Sequence, residues 1–209
     1  MQIVIIVEAY YQMIKKVSLS THANNQLNYI RAILNHKKDT KKMSIKGAAV
    51  MLILTVINDQ LFLVFTHRTN LVSTHKDQVS FPGGLQEVDD KSLLQTAIRE
   101  TKEEIGVIIN QNEVIGNLPE LRSISGFQIF PFICYIEKLK NIKLNQAEVK
   151  HIFTIPLDWI MDHRNWRYET YKSPDDKKRQ VVVFKNYENE IVWGITGQVL
   201  VSFADLLNM

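Results

Sequence analysis

The sequence contains a single cysteine, Cys134, so no disulfide can form within the chain. Its neighbours Phe132, Ile133 and Tyr135 are apolar. This context predicts a buried thiol in a strand rather than a nucleophile. Because disulfides are common in secreted proteins and rare in the cytosol, we expect a reducing, cytoplasmic setting.

A strong excess of charge of one sign is also lacking. The chain has 25 Lys and Arg residues against 22 Asp and Glu residues, which gives a formal net charge of +3. A protein that binds nucleic acid usually carries a denser basic stripe. The short run Lys177-Lys178-Arg179 therefore predicts a solvated loop, and we do not expect nucleic acid as a partner.

No apolar run is long enough to span a bilayer. Residues 1–13 are mostly apolar, but Glu8 interrupts them and Lys15 and Lys16 follow them. A secretory signal has its positive charges before the apolar stretch, so this order is wrong for one. We expect no membrane insertion. The segment is either an edge strand or an extension ahead of a start at Met13.

The chain length of 209 residues suits one domain with a sizeable core. Residues 26–34 carry leucine and isoleucine at helical spacing, which predicts a short amphipathic helix. The polar stretch 35–46 reads as a linker. We therefore predict an N-terminal extension over residues 1–45 and a main domain over residues 46–209.

Strand patterns outnumber helical patterns in the main domain. Two apolar runs, 48–57 and 61–66, flank Asn58-Asp59-Gln60 and predict a hairpin. A helix is expected from Ser92 as its N-cap to about Glu104, with Gly106 ending it. Further strands are expected at 79–81, 113–117, 127–136 and 181–184, and further helices at 157–162 and 195–207. This mixed order predicts an α+β fold, with helices flanking a mixed sheet.

Three glutamates share one face of the helix after Ser92. At about 100° of rotation per residue, Glu100, Glu103 and Glu104 lie together, apart from the stripe of Leu94, Ile98, Thr101 and Ile105 that we expect to face the core. Like charges at this spacing repel, and a divalent cation with oxygen ligands would offset the repulsion. A solvated acidic face is the alternative.

Two neighbouring features favour the metal interpretation. Arg99 lies one turn before Glu103, where its guanidinium can hold that carboxylate. Pro82-Gly83-Gly84 predicts a turn after a short strand, and glycines let the backbone approach a ligand or an ion closely. The combination indicates a site for phosphate chemistry.

At these residues the sequence resembles the Nudix hydrolases, whose signature is G-x5-E-x7-R-E-U-x-E-E-x-G-U. The second half of the signature matches at Arg99, Glu100, Glu103, Glu104, Gly106 and Val107. Counted from Gly84, Asp90 stands where glutamate is usual, and eight residues rather than seven separate it from Arg99. This departure weakens any role for Asp90.

The resemblance implies a Nudix-like α/β/α sandwich and a metal-dependent diphosphatase. Mg²⁺ or Mn²⁺ would be bound by Glu100, Glu103, Glu104 and the carbonyl group of Gly84. Glu103, Glu104 and Arg99 would be catalytic, and the identity of the general base stays open.

Within the family, the coenzyme A pyrophosphatase branch is the most similar. As in that branch, Arg68 and His75 precede Phe81-Pro82-Gly83-Gly84, although Asp77 replaces a usual glycine. This resemblance implies cleavage of coenzyme A to 4′-phosphopantetheine and adenosine 3′,5′-bisphosphate, with Arg68, His75 and Gly83 contacting the substrate. A surface salt bridge is the alternative for Arg68.

Downstream, residues 192–196 are also similar to this branch. Trp193 lies among apolar residues there and is expected in the core rather than against a base.

Other substrates and another class of protein remain as alternatives. ADP-ribose, a dinucleotide or a capped RNA end would use the same metal site. A non-catalytic Nudix-like sensing module would be expected to lose part of the carboxylate set, which is complete here. In each enzymatic case the partner is a small-molecule or nucleotide diphosphate, and the sequence leaves a homodimer open.

Overall fold

A computed structural model describes residues 21–34, 47–70, 77–172 and 176–208. Its helices are α1 (Thr21–Leu34), α2 (Leu93–Ile105), α3 (Leu157–Met161) and α4 (Gly194–Leu207). Its strands are β1 (Gly47–Ile57), β2 (Gln60–Arg68), β3 (Val79–Ser80), β4 (Gly83–Leu85), β5 (Val114–Asn117), β6 (Leu121–Arg122), β7 (Gln128–Tyr135), β8 (Val149–Pro156), β9 (Trp166–Lys172) and β10 (Lys178–Phe184). Short 3₁₀ turns span Gln111–Glu113 and His163–Asn165.

Eight of these strands form one mixed sheet. Strand β1 is central, since it runs parallel to β7 and antiparallel to β2 and β4. Strands β3 and β8 pair with β2, while β5 and β6 pair with β7. Strands β9 and β10 form a separate antiparallel pair. The order combines local hairpins with one parallel crossover from β1 to β7.

The two faces of the sheet bury two separate apolar clusters. Successive side chains of a strand point to opposite faces. In β1, Leu52 and Leu54 therefore pack in the cluster that includes α1 and α4, whereas Met51 and Ile53 pack in the cluster that includes α2. Helices cover both faces of a mixed sheet, so the predicted α/β/α sandwich is confirmed.

Helix α1 confirms the helix predicted near the N-terminus, but it begins at Thr21 rather than at residue 26. Its apolar side is buried against the sheet. A β-carbon at Gly116 of β5 would come within 2.6 Å of Leu34 Cβ, so only glycine lets the helix end lie this close. The apolar segment 1–13 and the predicted linker lie outside the described residues. The division at residue 45 stays a prediction.

The predicted hairpin is confirmed, and Asn58 and Asp59 take the left-handed conformation with φ of 48° and 68°. The turn predicted at the two glycines is wrong. Gly83 and Gly84 lie in β4 and pair with Val50 and Ala49. A β-carbon at Gly83 would overlap the β1 backbone, so the missing side chain is what allows this pairing.

Cys134 lies in β7 and is fully buried, as predicted. Burial raises the pKa of its thiol well above the ordinary range, which makes it unsuitable as a nucleophile. Within the described ranges, none of the helices combines the length and apolar character needed to cross a membrane.

Candidate functional site

Both ends of helix α2 are fixed by the predicted cap residues. The Ser92 hydroxyl accepts a hydrogen bond from the Gln95 N–H at 3.2 Å. Gly106 adopts φ 74°, and its N–H donates to the Lys102 carbonyl at 2.9 Å. The left-handed conformation at Gly106 is one that glycine adopts without steric cost. The helix therefore has defined ends, which fix the rotation of its side chains.

That rotation turns the predicted stripe toward the core. Thr101 and Ile105 are buried, and Leu94 and Ile98 are partly buried and pack against the apolar cluster on this face, as predicted. The other buried positions of the helix are Leu93, Thr96, Ala97 and, at 1% exposure, Glu104. The helix thus turns one of its glutamates inward, toward β2 and β4.

The carboxylate of Glu104 is held by two donors. Arg68 Nη1 donates to Oε1 at 3.2 Å, and the Gly83 N–H donates to Oε2 at 3.3 Å. Burial raises the pKa of Glu104 to about 8; Arg68 opposes the rise, and the charges of Glu100 and Glu148 add to it. A buried carboxylate with so high a pKa is typical of a functional site.

Arg68 lies in this pair rather than in a surface salt bridge. Its side chain is 20% exposed. Its Nε atom is buried and has no hydrogen-bond partner among the described residues. A contact between Arg68 and a substrate phosphate stays a prediction. His75 lies outside the described residues.

Arg99 gathers the other acidic groups around α2. Its Nε and Nη2 atoms donate to the two carboxylate oxygens of Asp90 at 3.0 and 2.9 Å. Its Nη1 atom donates to Glu100 at 3.0 Å and to Glu103 at 2.8 Å. Nη2 also donates to the Leu85 carbonyl at 3.2 Å. The predicted contact between Arg99 and Glu103 is confirmed, and the guanidinium joins α2 to the loop and to β4.

Asp90 has a defined position despite the lengthened loop. Its carboxylate accepts hydrogen bonds from the Glu87 N–H at 2.9 Å and the Thr96 hydroxyl at 3.0 Å, in addition to Arg99. The hydrogen bond from Arg99 is the main cause of a lowered pKa at Asp90. The lengthened loop still brings the Asp90 carboxylate to Arg99. The expectation of a weakened functional role for Asp90 stays a prediction.

Gly84 lies directly against Glu100. A β-carbon at Gly84 would come within 2.5 Å of Glu100 Cδ. Burial raises the pKa of Glu100, and the charges of Glu103 and Glu148 raise it further, while Arg99 lowers it. Glu148, just before β8, thus raises the pKa of both Glu100 and Glu104. Sequence reasoning missed Glu148, since it is far along the chain from α2 and no local pattern marks it.

These groups fit a hard divalent cation. The possible metal ligands on α2 and nearby are carboxylate oxygens and a backbone carbonyl oxygen, which Mg²⁺ and Mn²⁺ prefer. Glu100 and Glu104 have raised pKa values because like charges and burial disfavour their ionised forms, which a bound cation would stabilise. The side chain of Glu103 is 53% exposed, so it is the most accessible of the three glutamates on α2.

A cavity of about 500 Å³ lies beside β3. Tyr171, Trp193, Arg122 and Arg179 line it, together with Val79 of β3. The ring centroids of Tyr171 and Trp193 are 5.7 Å apart. Trp193 was expected in the core and Arg179 in a solvated loop, and both expectations are wrong. The β9–β10 hairpin, whose first strand was not predicted, forms one wall of the cavity and includes Arg179.

Strand β3 connects this cavity to the carboxylates. The Val79 carbonyl accepts a hydrogen bond from the Thr196 hydroxyl in α4 at 3.1 Å. Four residues later, Gly83 binds Glu104 through its N–H. Four residues of extended chain span at most about 14 Å. Val79 at the cavity and Gly83 at the carboxylates are therefore at most about 14 Å apart.

The chain is similar in sequence to known proteins. The NUDIX domain family matches residues 46–176. A protein of Yersinia enterocolitica described as uncharacterized Nudix hydrolase NudL is 32% identical over 164 residues, which are 77% of this chain and 82% of that protein. A protein of Pectobacterium atrosepticum with the same description is 31% identical over 156 residues, 75% of this chain and 80% of that protein.

A solved structure supports the same fold. The crystal structure of a MutT/nudix family protein from Enterococcus faecalis has a TM-score of 0.55 and 14% identity, and covers 88% of this chain and 68% of that one. Its likeness concerns the fold alone. Taken with the sequence matches, it shows that the chain belongs to the Nudix hydrolases, enzymes that act on phosphorus anhydrides of nucleoside diphosphate derivatives and generally use divalent metal ions.

Proposed function

We propose that this enzyme hydrolyses the diphosphate of coenzyme A or its derivatives, releasing 4′-phosphopantetheine and adenosine 3′,5′-bisphosphate. The observation that carries the proposal is the cavity beside β3, which combines an aromatic pair and two arginines. Strand β3 leads within four residues to Gly83, whose N–H binds Glu104. Coenzyme A has matching groups, namely an adenine ring, a 3′-phosphate and a diphosphate. The branch resemblance at Arg68 and at residues 192–196 supports the same substrate.

In this proposal the cavity holds the nucleoside end of the substrate. Trp193 and Tyr171 offer ring faces to adenine. Arg122 and Arg179 offer planar guanidinium groups, whose donors suit the oxygens of the 3′-phosphate. The substrate then extends along β3, which brings its diphosphate to Gly83 and the glutamates.

The cation site is proposed on the carboxylate face of α2. Mg²⁺ or Mn²⁺ would be held by Glu100, Glu103, Glu104 and the Gly84 carbonyl, with Glu148 as an additional carboxylate. Such an ion, when bound, would neutralise charge on the phosphates and lower the pKa of a coordinated water. Arg99 acts as a positioning residue, since it holds Glu100 and Glu103 in fixed directions.

Other groups of the chain would handle protons and phosphate oxygens. We expect the carboxylate that accepts a proton from the attacking water to be Glu103, Glu104 or Glu148. Arg68 borders Glu104 and is proposed to meet a phosphate once a cation takes over its role beside that carboxylate. His75 and Gly83 remain proposed substrate contacts.

Product identification tests the proposal directly. The full-length chain is incubated with coenzyme A and Mg²⁺ or Mn²⁺, and mass spectrometry is expected to find 4′-phosphopantetheine and adenosine 3′,5′-bisphosphate. Much faster turnover of ADP-ribose, a dinucleotide or a capped RNA would reject coenzyme A and keep the hydrolase class. Absence of hydrolysis across the whole panel would favour the sensing module.

Comparison of coenzyme A with dephospho-coenzyme A tests the cavity. If the arginines bind the 3′-phosphate, kcat/KM is higher for coenzyme A, and Arg179→Gln removes most of this preference. Arg167→Gln is a matched control, because Arg167 lies on the neighbouring strand with a side chain that is 62% exposed. A preference that survives both Arg179→Gln and Arg122→Gln would contradict the assignment.

A cytoplasmic location belongs to the same proposal. The sole cysteine of the chain is buried and unpaired, which suits a reducing compartment. Cell fractionation with a marker of each compartment checks it, and recovery outside the cytoplasmic fraction would contradict it.

A further inference from the structure

Two histidines and a glutamate meet on the face of the sheet opposite α2. His67 of β2 and His151 of β8 are direct cross-strand neighbours, and their ring centroids are 4.8 Å apart. Glu190, which precedes α4, lies between them. Its Oε2 atom is 2.8 Å from His67 Nδ1, and its Oε1 atom is 2.7 Å from His151 Nε2. The three side chains thus converge from three different elements.

This cluster is separate from the carboxylates of α2. His67 and Arg68 are consecutive in β2, and consecutive strand residues point to opposite faces. Arg68 binds Glu104 on one face, while His67 binds Glu190 on the other. None of the residues of the cluster takes part in the proposed hydrolysis.

We propose that His67, His151 and Glu190 form a second metal site, which binds Zn²⁺ or a similar transition metal ion. One ligand atom from each residue lies within 4.8 Å of the others. A zinc ion bonds to imidazole nitrogen and carboxylate oxygen at about 2.0–2.2 Å, so small side-chain movements bring all three into contact with one ion.

The ligand types distinguish this site from the one on α2. Imidazole groups suit zinc, copper and nickel, whereas a set of carboxylate and carbonyl oxygens suits Mg²⁺ and Mn²⁺. The two faces of the sheet would therefore select different ions. His151 has a side chain that is 40% exposed, which gives an ion access from solvent and leaves room for water as a fourth ligand.

Asp77 is placed to orient His67. The Nε2 atom of His67 is buried and makes no hydrogen bond to the described residues. It faces Asp77 Oδ1 at 3.7 Å, and Lys150 Nζ lies 4.0 Å from the same oxygen. A histidine that binds a metal usually donates its other N–H to a carboxylate, so a small shift of Asp77 would complete this contact.

The position of Asp77 is itself unusual. Its φ is 51°, in the left-handed region that aspartate tolerates better than most residues do. A carboxylate therefore takes a glycine-type position beside His67, which is consistent with a positioning role in the metal site.

Hydrogen bonding alone is the competing explanation, since Glu190 can bridge two imidazoles without an ion. A Co²⁺ titration of the cation-free full-length protein separates the two, because the visible absorption of Co²⁺ reports nitrogen ligation in a site of low coordination number. We expect the absorption band in the wild type, in Glu104→Gln and in His163→Asn, whose histidine is exposed elsewhere. His151→Asn is expected to lose it.

Further variants keep the test decisive. If circular dichroism shows that His151→Asn is unfolded, Glu190→Gln replaces it, since it keeps the shape of the side chain. Asp77→Asn is expected to weaken Co²⁺ binding roughly 10- to 100-fold. Zn²⁺ should displace Co²⁺, and excess Mg²⁺ should not. A band that persists in His151→Asn and Glu190→Gln, or its absence in the wild type, overturns the proposal.

Discussion

At the scale of single residues, Glu104 has the environment most sensitive to pH. Burial raises its pKa in the folded, cation-free protein to about 8, against 4.5 for an exposed glutamate. At a pH between these two pKa values, the Glu104 carboxyl group is protonated in the folded chain and ionised in the unfolded chain. The free energy of unfolding should therefore fall as pH rises from about 5 to about 8.

Urea denaturation in the presence of EDTA at a series of pH values measures this dependence. Glu104→Gln lacks the titrating group and should show a shallower fall over the same window. Mg²⁺ should restore stability at pH 8, because a cation favours the ionised carboxylate. An identical pH dependence in the wild type and in Glu104→Gln would contradict the pKa assigned to this residue.

The same substitution tests the role of Glu104 in catalysis. Glu104→Gln should lower kcat at least about a hundredfold on whichever diphosphate the enzyme hydrolyses, since it removes a carboxylate that binds the cation or accepts a proton. Glu137→Gln is a suitable control, because Glu137 is exposed near the far end of β7. Steady-state kinetics at saturating Mg²⁺ measures the effect, and an unchanged rate would exclude Glu104 from the mechanism.

At the scale of elements, the contact between β4 and α2 depends on one missing side chain. Gly84→Ala would place a β-carbon within 2.5 Å of Glu100 Cδ and push the carboxylate away. The backbone pairing of β4 with β1 does not require glycine at position 84. We therefore expect a folded protein that needs more Mg²⁺ for half-maximal rate and has a lower kcat.

Leu85→Ala is the matched control for Gly84→Ala, since Leu85 lies in the same strand with a side chain that is largely exposed. Its rate and Mg²⁺ dependence should stay close to those of the wild type. Equal Mg²⁺ dependence in Gly84→Ala and in the wild type would show that Glu100 does not need to lie against β4.

Elements with local signals were predictable from the sequence. Ser92 and Gly106 act within a turn of the helix they end, so the bounds of α2 followed from neighbouring residues. Strands β4, β6, β8 and β9 were missed. In β9, Trp166 and Tyr168 alternate with charged residues, a pattern typical of a half-exposed strand that can be read from the sequence.

Contacts between segments that are far apart in the sequence could not be predicted from local patterns. Asp90 meets Arg99 because the whole loop folds back on α2, which spacing within a signature does not reveal. Glu148 and Glu190 reach their sites only through the pairing of β8 with β2 and the path of the chain before α4. Trp193 was predicted in the core because its neighbours in the sequence are apolar, which does not reveal that its own ring lines a cavity.

At the scale of the whole molecule, residues of β2, β3 and β4 contribute to sites on both faces of the sheet. Arg68 turns toward α2 and His67 toward the chain before α4. The segment from Val79 to Gly83 leads from the cavity to the carboxylates. The proposed substrate cavity and the proposed cation site thus share one short piece of backbone, so a change in β3 should alter KM and kcat together.

The family match begins at residue 46, yet the packed structure extends further toward the N-terminus. Helix α1 buries Leu27 and Ile30 in the cluster that also includes α4. Leu27→Ala should lower the free energy of unfolding by about 2–5 kcal/mol, because it leaves a cavity in this core. Asn28→Ala, at the next and exposed position, should change it by less than about 0.5 kcal/mol.

Urea denaturation followed by circular dichroism measures both variants. A single transition that shifts in Leu27→Ala would show that α1 unfolds together with the sheet, so that the cooperative unit includes residues ahead of the family match. If Leu27→Ala unfolds at the same urea concentration as Asn28→Ala, α1 contributes little to the core. The boundary at residue 45 would then separate the folding unit from an extension, because only a docked helix loses stability when its buried leucine is truncated.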